Sequence, residues 1–395
     1  MTLHSRGARR APQHLLRSGA ALAAVAALAL TGCSAEHGGS AGADGDALRV
    51  VATTTQLTDF AREIGGDDIA LTGLLAPGGS AHHFDPTPAD LLALSEADVL
   101  IVNGAGLETF IDDAIDASGF TGEVITASDG IDLDEATAIT AEGEAEAAGE
   151  AAAADADHDH ADEEHADHDH ASEGDAHGAE DHADHDHADH DHAGESAAEH
   201  DHDHGPTNPH LWTSPRYAAD MAAHIGEELA RIDSAHAADY QSRSAAYGEQ
   251  LDALDVWAAA QFAAVPAAER VLVTGHDSLR YYLHNYDIGF AGSILPSFED
   301  NAEPSAADID ALVARITELG VPAVFVESSM SPKLARTIAK EAGVTVVDAE
   351  SLYADSLGAP GSGADTYLTA TVHNTRVILE AWGAEAAPLP STLQS

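Results

Sequence analysis

One segment limits the fold more than any other. Residues 136–206 contain very few large hydrophobic side chains and consist mainly of Ala, Glu, Asp, His and Gly. Residues 142–204 alone hold 14 His and 24 Asp or Glu, with no Lys or Arg. Such a composition cannot bury enough apolar surface to offset the lost chain entropy, so we predict a disordered insertion. About 300 residues remain, enough for two lobes of ordinary domain size.

The remainder of the chain has the pattern of an α/β protein. Apolar runs rich in β-branched residues alternate with amphipathic helical patterns, and this predicts parallel sheets flanked by helices. The runs cover residues 48–54, 69–75, 99–103, 271–274, 323–327 and 344–347.

A long helical pattern divides these runs into two groups. Apolar residues recur at helical spacing over residues 235–264, which predicts a rigid helix about 45 Å long joining two lobes. The predicted organisation is an N-terminal lobe at 48–234 that contains the insertion 136–206, an interlobe helix at 235–266, and a C-terminal lobe at 267–395.

The N-terminus has the pattern of a secretory signal peptide over residues 1–32. It carries four Arg and no acidic residue, followed by an apolar run of about a dozen residues, too short for a membrane span of roughly 20. The ending Leu-Thr-Gly-Cys resembles a bacterial lipobox, which implies lipidation of Cys33, with residues 33–47 as a flexible tether. The alternative is an ordinary signal peptide with an incidental cysteine.

Charge and cysteine content exclude several classes of function. Cys33 is the single cysteine, so neither a disulfide framework nor a thiolate metal site is available. The 363 residues after the signal carry 69 acidic and 12 basic side chains, because four of the 16 basic residues lie in the signal. A net charge near −57 argues against nucleic-acid binding and favours cations.

Outside the insertion, three histidines and one aspartate lie in loops suited to a ligand site. His82 and His276 follow apolar strands, His210 lies between a proline and Trp212, and Asp355 lies in Leu-Tyr-Ala-Asp-Ser. An isolated histidine is more often a satisfied core or surface residue, but four such positions together indicate a metal site. Three imidazoles and a carboxylate would complete the four-ligand shell that zinc commonly takes.

Each imidazole that binds a metal needs its other ring nitrogen held by a carboxylate or carbonyl. The sequence offers Asp85, Asp277 and Glu327 for this role. For Glu327 the alternatives are capping of the helix at Ser331 or simple solvation.

Four segments in order resemble the substrate-binding proteins of zinc and manganese ABC importers, the ZnuA-type or cluster A-I family. Residues 77–86, PGGSAHHFDP, resemble PxGxxPHxYEP and imply His82 as ligand, with His83 as the alternative. Residues 208–212 resemble DPHxW and imply His210, residues 276–278 resemble the zinc-type HDA segment and imply His276, and residues 353–356 resemble the segment that supplies the last carboxylate, Asp355.

The resemblance implies an extracytoplasmic protein, not an enzyme, that captures Zn²⁺ and delivers it to a membrane permease and its ATPase. It is expected to be a monomer held to the outer face of the membrane by its lipid. Manganese-type members resemble this chain but usually carry glutamate at the third ligand, so His276 favours Zn²⁺ over Mn²⁺.

The histidines of the insertion are predicted to form weak, exchanging accessory sites. Those singled out are His158, His160, His168, His170, His185, His187, His190, His192, His202 and His204. The alternative is a solvated acidic spacer. Two other function classes stay open: a zinc hydrolase, disfavoured because Asp355 would close the shell, and an extracellular metal buffer or adhesin acting through the insertion.

Overall fold

The first half of the described chain builds a four-stranded parallel sheet covered by helices. The computed structural model describes residues 47–82, 84–158, 206–296 and 303–394. The elements before the insertion are β1 (Leu48–Ala52), α1 (Thr55–Gly65), β2 (Ile69–Gly73), α2 (Pro88–Glu96), β3 (Val99–Val102), α3 (Ile111–Ser118), β4 (Glu123–Thr126) and α4 (Leu133–His158). The strand order is β2-β1-β3-β4, so the apolar strands β1 and β3 lie at the centre.

The second half contains two parallel strand pairs. After the insertion the chain returns to the first half with α5 (Pro215–Ile232), which packs against α1, and then forms α6 (Ala237–Ala263). The second half consists of β5 (Val271–Thr274), α7 (Arg280–Asn285), β6 (Gly289–Ser293), α8 (Ala306–Leu319), β7 (Ala323–Glu327), α9 (Pro332–Ala342), β8 (Thr345–Leu352) and α10 (Tyr367–Ala381). Strand β5 pairs with β6, β7 pairs with β8, and β5 lies next to β7. The predicted α/β class with parallel sheets flanked by helices is confirmed.

Local sequence explains where several helices begin. Thr87 caps α2 and Ser305 caps α8 through complete capping boxes with the acid three residues later, and a proline follows the N-cap at α2, α5 and α9. These caps satisfy backbone N–H groups that a helix start otherwise leaves without a partner. The loops before the helices are thereby held in definite conformations.

Helix α6 lies within the stretch predicted to be helical. Its 27 residues correspond to about 40 Å. It packs against α1 and α5 of the first half and α10 of the second, with Tyr247 of α6 and Tyr367 of α10 both against Phe60. The long helix is thus observed, while its role as the connection between lobes, and the lobe boundaries themselves, stay predictions.

The predicted insertion, residues 136–206, begins too early in the sequence, because its first residues form a helix. Residues 136–158 were expected to be disordered, but they lie in α4, and Ala136, Ile139 and Thr140 are buried in its first turns. Apolar residues spaced three to four apart continue to about this point and pack the start of the helix on the core. Residues 159–205, nine of the ten accessory histidines and Cys33 lie outside the described residues.

Two strands lack the apolar pattern that predicts the others. Strand β4 is a half-exposed edge strand, and β6, Gly-Phe-Ala-Gly-Ser, contains two glycines. Their pairing with β3 and β5 places them in the sheets. Within the described ranges, no helix has an apolar stretch long enough to cross a bilayer.

Candidate metal centre

Four separate segments bring their polar side chains to one point. His82 lies in the loop after β2, His210 directly precedes the short 3-10 helix Leu211–Thr213, His276 follows β5, and Asp355 follows β8. Three of these loops leave the carboxyl ends of parallel strands, where open α/β sheets place ligand sites. The structure therefore brings together the four residues that the sequence pointed to.

The four side chains converge through a single atom each. The Nε2 atom of His210 lies 2.9 Å from Nε2 of His82 and 3.2 Å from Nε2 of His276. The Oδ1 atom of Asp355 lies 3.4 Å from Nε2 of His210 and 3.3 Å from Nε2 of His276. All four ligand atoms lie within 4.8 Å of one another.

These separations fit a tetrahedral metal shell. Ligand atoms 2.0–2.1 Å from a zinc ion at tetrahedral angles lie about 3.3 Å apart. The four distances given above, 2.9 to 3.4 Å, are close to that value. Four of the six separations thus match a tetrahedral shell, and three imidazole nitrogens and one carboxylate oxygen face one space suited to a small cation.

The centre is shielded from solvent. His82 is 4% exposed, and His210, His276 and Asp355 are fully buried. Burying a carboxylate is costly unless an opposite charge or hydrogen bonds compensate. The fold therefore keeps Asp355 buried together with the three imidazoles that can compensate its charge. Electrostatic interactions within this buried cluster are strong.

Glu327, at the end of β7, lies beside the far ring nitrogen of His276. Its Oε2 lies 3.1 Å from Nδ1 of His276, and its Oε1 accepts a hydrogen bond from the His276 backbone N–H. Its Oε2 also accepts from the Ser278 hydroxyl at 3.0 Å. The structure places this fully buried carboxylate where the sequence predicted a partner for a ligand histidine.

The other two predicted partners are used differently. Asp85 is exposed. The Asp277 carboxylate bonds to Arg280 through Nε at 2.9 Å and Nη2 at 2.7 Å, so it does not serve as the near partner of the His276 ring. Burial raises the pKa of Asp277, while Arg280 opposes that shift.

His210 is held by Asn208, a residue that the sequence did not single out for this role. The Asn208 Oδ1 lies 2.7 Å from Nδ1 of His210 and accepts the His210 backbone N–H at 3.1 Å. An asparagine before a proline is a common turn residue, so composition carries no signal for this contact.

The electrostatics of the cluster tie His276 to the carboxylates. Burial alone would lower the pKa of the His276 imidazole, but Asp355 and Glu327 together raise that pKa well above its usual value. Burial alone would raise the pKa of Asp355, but His276 and His210 hold it well below the usual range. In the metal-free protein the two carboxylates therefore favour the protonated form of His276.

The loop that carries Asp355 is fastened to the first half of the molecule. The backbone oxygen of Ala354 accepts hydrogen bonds from Gln56 Nε2 and Trp212 Nε1, each at 2.8 Å. Leu357 N donates to Thr55 Oγ1, and the Ser356 hydroxyl accepts from Gly78 N at 2.8 Å. The carboxylate is thereby positioned against the histidines contributed by the other half.

The remaining predicted metal residues cannot be located in the same way. His83, the alternative to His82, lies outside the described residues, whereas His82 is one of the four clustered side chains. His158 lies at the end of α4, and the other nine accessory histidines fall outside the described ranges.

Comparison with known proteins places this chain in a family. Residues 50–381 match the family described as zinc-uptake complex component A, periplasmic. The manganese-binding lipoprotein MntA of Bacillus subtilis is 28% identical over 360 residues, or 90% of this chain and 96% of that protein. The zinc-binding protein TroA of Treponema pallidum is 26% identical over 356 residues, or 89% and 94%.

Solved structures show the same fold. The periplasmic zinc-binding protein TroA from Treponema pallidum aligns with a TM-score of 0.63 at 23% identity, over 84% of this chain and 98% of that one. A cadmium-bound periplasmic metal-binding protein from Candidatus Liberibacter asiaticus aligns with a TM-score of 0.59 at 19% identity, over 85% and 99%. Because the family match spans most of the sequence, this chain belongs to the zinc-uptake complex component A family, a family of transport components and not of enzymes.

Proposed function

We propose that this chain binds Zn²⁺ outside the cytoplasm and delivers it to an ABC-type permease driven by its ATPase. The observation that carries the proposal is the buried convergence of His82, His210, His276 and Asp355, whose ligand atoms all lie within 4.8 Å of one another. Relatives named for metal-binding lipoproteins and metal transport support the class of function.

The donor set favours zinc as the cargo. Imidazole nitrogen suits zinc, whereas manganese prefers sites richer in carboxylate and carbonyl oxygen. The proposed ligands here are three imidazole nitrogens and one carboxylate oxygen. Mn²⁺ is the second candidate, because relatives named for manganese and relatives named for zinc both match this chain.

The protein performs no chemical step on its cargo. Its side chains provide four ligands, hold them in place, and exclude water from the centre. With four protein ligands the shell has no open position of the kind that a catalytic zinc site keeps for water. Release then requires separation of the segments that carry the ligands, which we propose occurs on the permease.

Attachment to the membrane through Cys33 completes the proposed picture. A lipidated cysteine at the mature N-terminus would tether a monomer near its permease. Labelling of cells with a radioactive or clickable fatty acid tests this step, with Cys33→Ser as the matched variant. Label in the wild-type chain that disappears in the variant supports the tether, and equal label in both removes it.

The test of the cargo is a metal titration of the chain without residues 1–32, against chelators of known affinity. We expect one tight Zn²⁺ per chain, at least about tenfold tighter than Mn²⁺, as the donor preferences imply. The His210→Ala variant should lose this site. Tighter binding of Mn²⁺ than of Zn²⁺ would instead identify manganese as the cargo.

A deletion separates the buried centre from the His-rich insertion. Because α4 continues to His158, the deletion should remove residues 159–205 and leave the helix intact. Retention of the tight site in the shortened protein makes the insertion an accessory. Loss of tight binding in the shortened protein, with the His210→Ala full-length variant still binding, would support the metal-buffer alternative.

A further inference from the structure

Asn208 lies at a junction of three elements beside the metal centre. It is 1% exposed. Its backbone N–H donates to Thr140 Oγ1 of α4 at 3.0 Å, and its backbone oxygen accepts from the Tyr281 hydroxyl of α7 at 2.7 Å. These two bonds fix the backbone of the segment that precedes His210.

The orientation of the Asn208 side-chain amide follows from its backbone partners. One amide atom receives the His210 backbone N–H and must be the oxygen. The other lies 2.7 Å from the backbone oxygen of Asp277, which can only accept, and must be the nitrogen. A flipped amide would place like groups against each other at both contacts.

This orientation determines the tautomer of His210. The Asn208 Oδ1 has no proton to give, so the His210 Nδ1, 2.7 Å away, must donate. A neutral imidazole has a single N–H, so its Nε2 then carries the lone pair. That Nε2 is the atom that faces His82, His276 and Asp355.

The amide nitrogen connects this histidine to the opposite half of the centre. Its partner, the Asp277 backbone oxygen, belongs to the residue directly after His276. A single side chain therefore bonds to His210 with its oxygen and to the His276 segment with its nitrogen. The two Nε2 atoms lie 3.2 Å apart across this bridge.

We propose that Asn208 is a positioning residue that sets the Nδ1–H tautomer of His210 and, through Asp277, fixes the spacing between His210 and His276. The inference rests on the proposed metal-binding function. An aspartate would keep the contact to His210, but its carboxylate cannot donate to the Asp277 oxygen and would face it as a second acceptor. In this chain the amide is thus the group that makes both contacts at once.

Two substitutions separate the two halves of this role. Asn208→Ala removes both contacts and should weaken metal binding by about 10–100-fold, the range for partners that orient a ligand histidine. Asn208→Asp should keep the His210 tautomer and still bind more weakly than wild type, because its buried carboxylate loses the bridge and faces the Asp277 oxygen, a penalty that we expect to exceed the gain from its charge beside the ring. Tyr286→Phe is the control, since it removes a buried tyrosine's hydroxyl bond to Asp255 and leaves every bond of Asn208 in place.

The tautomer is read in metal-free protein from long-range proton–nitrogen NMR correlations of histidine rings, with the His210 signals assigned by their loss in His210→Gln. A proton on Nδ1 in wild type and Asn208→Asp, and a mixed or reversed state in Asn208→Ala, supports the proposal. An unchanged tautomer in folded Asn208→Ala overturns its first half.

Zinc affinity tests the second half. Asn208→Asp at wild-type affinity or tighter overturns the bridging role, and this comparison holds even where Asn208→Ala does not fold. Weaker binding by Asn208→Asp, with Tyr286→Phe within about threefold of wild type, supports it. The NMR result does not depend on added metal, so a wild-type protein with this tautomer but no metal affinity would refute the proposed function and not the tautomer assignment.

Discussion

His210 and His276 face the same point from opposite halves of the molecule, but their far ring nitrogens meet different partners. The Nδ1 of His210 lies 2.7 Å from the neutral amide oxygen of Asn208, whereas the Nδ1 of His276 lies 3.1 Å from the carboxylate of Glu327. An amide directs a ring without adding charge, and a carboxylate also makes the ring a stronger base. One half of the centre thus supplies orientation, and the other supplies orientation and negative charge.

The charge of the centre follows the same division. Asp355, the carboxylate within the cluster, and Glu327 both belong to the second half, Glu327 at the end of β7 and Asp355 in the loop after β8. The first half contributes His82 and His210. Among substitutions that keep the shape of a side chain and remove its charge, those in the second half should therefore reduce the affinity for a divalent cation most.

The largest effect is expected from removal of the charge on Asp355. Asp355→Asn keeps the shape of the side chain but leaves three neutral imidazoles around a buried cation. We expect zinc affinity to fall by more than the roughly 100-fold upper value for a partner outside the ligand set. Competition with a chelator measures the loss.

Asp85→Asn is the matched control for this change. Asp85 is exposed and lies three residues from His82, so its amide variant should bind zinc within about twofold of wild type. Equal losses in both variants would mean that overall negative charge, and not the position of Asp355, determines affinity.

The next effect is expected at Glu327. Glu327→Gln keeps a side chain of the same shape beside His276 but removes the charge that faces Nδ1, and should lower zinc affinity by about 10–100-fold. The exposed residue Glu341 provides the control Glu341→Gln. If Glu327→Gln binds zinc as tightly as wild type, the different partners of His210 and His276 do not affect zinc affinity.

A smaller, graded effect is expected from pH. The pKa of His276 is raised in the folded metal-free protein, so its proton stabilises the fold fully below the unfolded value near 6.5, and this contribution is lost as the pH rises through the raised pKa. Zinc must displace this proton. Affinity should therefore fall as the pH is lowered, approaching tenfold per unit for one proton.

Calorimetry in buffers of different ionisation enthalpy counts the protons released on binding. We expect close to one proton at neutral pH in wild type and fewer in Glu327→Gln, because one of the two carboxylates that raise the pKa is gone. Zinc affinity that stays constant from pH 9 to pH 6 would contradict this account of His276.

The sequence predicts the four clustered residues well because each lies in a loop beside a recognisable strand or turn. His276 directly follows the apolar run that becomes β5, and His210 lies beside Trp212, whose indole bonds to the Asp355 loop. Strand order at a sheet edge then brings separate loops together. Nearness in space could thus be expected from the order of strands, without any long-range contact being known.

The residues that contact the far side of the ligand rings were harder to predict, because closeness in sequence does not determine which side chain reaches a ring. Asp277 is adjacent to His276 in sequence, yet its carboxylate bonds to Arg280, one helical turn later. Glu327 is 51 residues away and reaches the ring from the neighbouring strand. Composition also predicted that order ends at residue 136, which was wrong, because the first turns of α4 are rich in alanine but pack on the core. Thr140 in these turns accepts a hydrogen bond from the Asn208 backbone.

The smallest effect on binding is expected from Glu108, which supports the first half of the centre at a distance. This buried carboxylate accepts bonds from the Thr53 hydroxyl and the Asn103 backbone, each at 2.6 Å, and from Gly104 N at 3.1 Å. Asn103 in turn donates to the Pro209 oxygen, next to His210. Glu108→Gln places an amide N–H₂ against donors and should lower the free energy of unfolding by about 1–3 kcal/mol.

Denaturant unfolding of the metal-free protein measures this loss, with the exposed Glu123→Gln as the control expected to change stability by less than about 0.5 kcal/mol. Zinc affinity of folded Glu108→Gln should stay within about threefold of wild type, because Asn208, Thr140 and Tyr281 still hold the His210 segment. A loss of affinity as large as that of Glu327→Gln would show that the first half depends on its supporting network as strongly as the second half depends on its charge, and would remove the contrast between them.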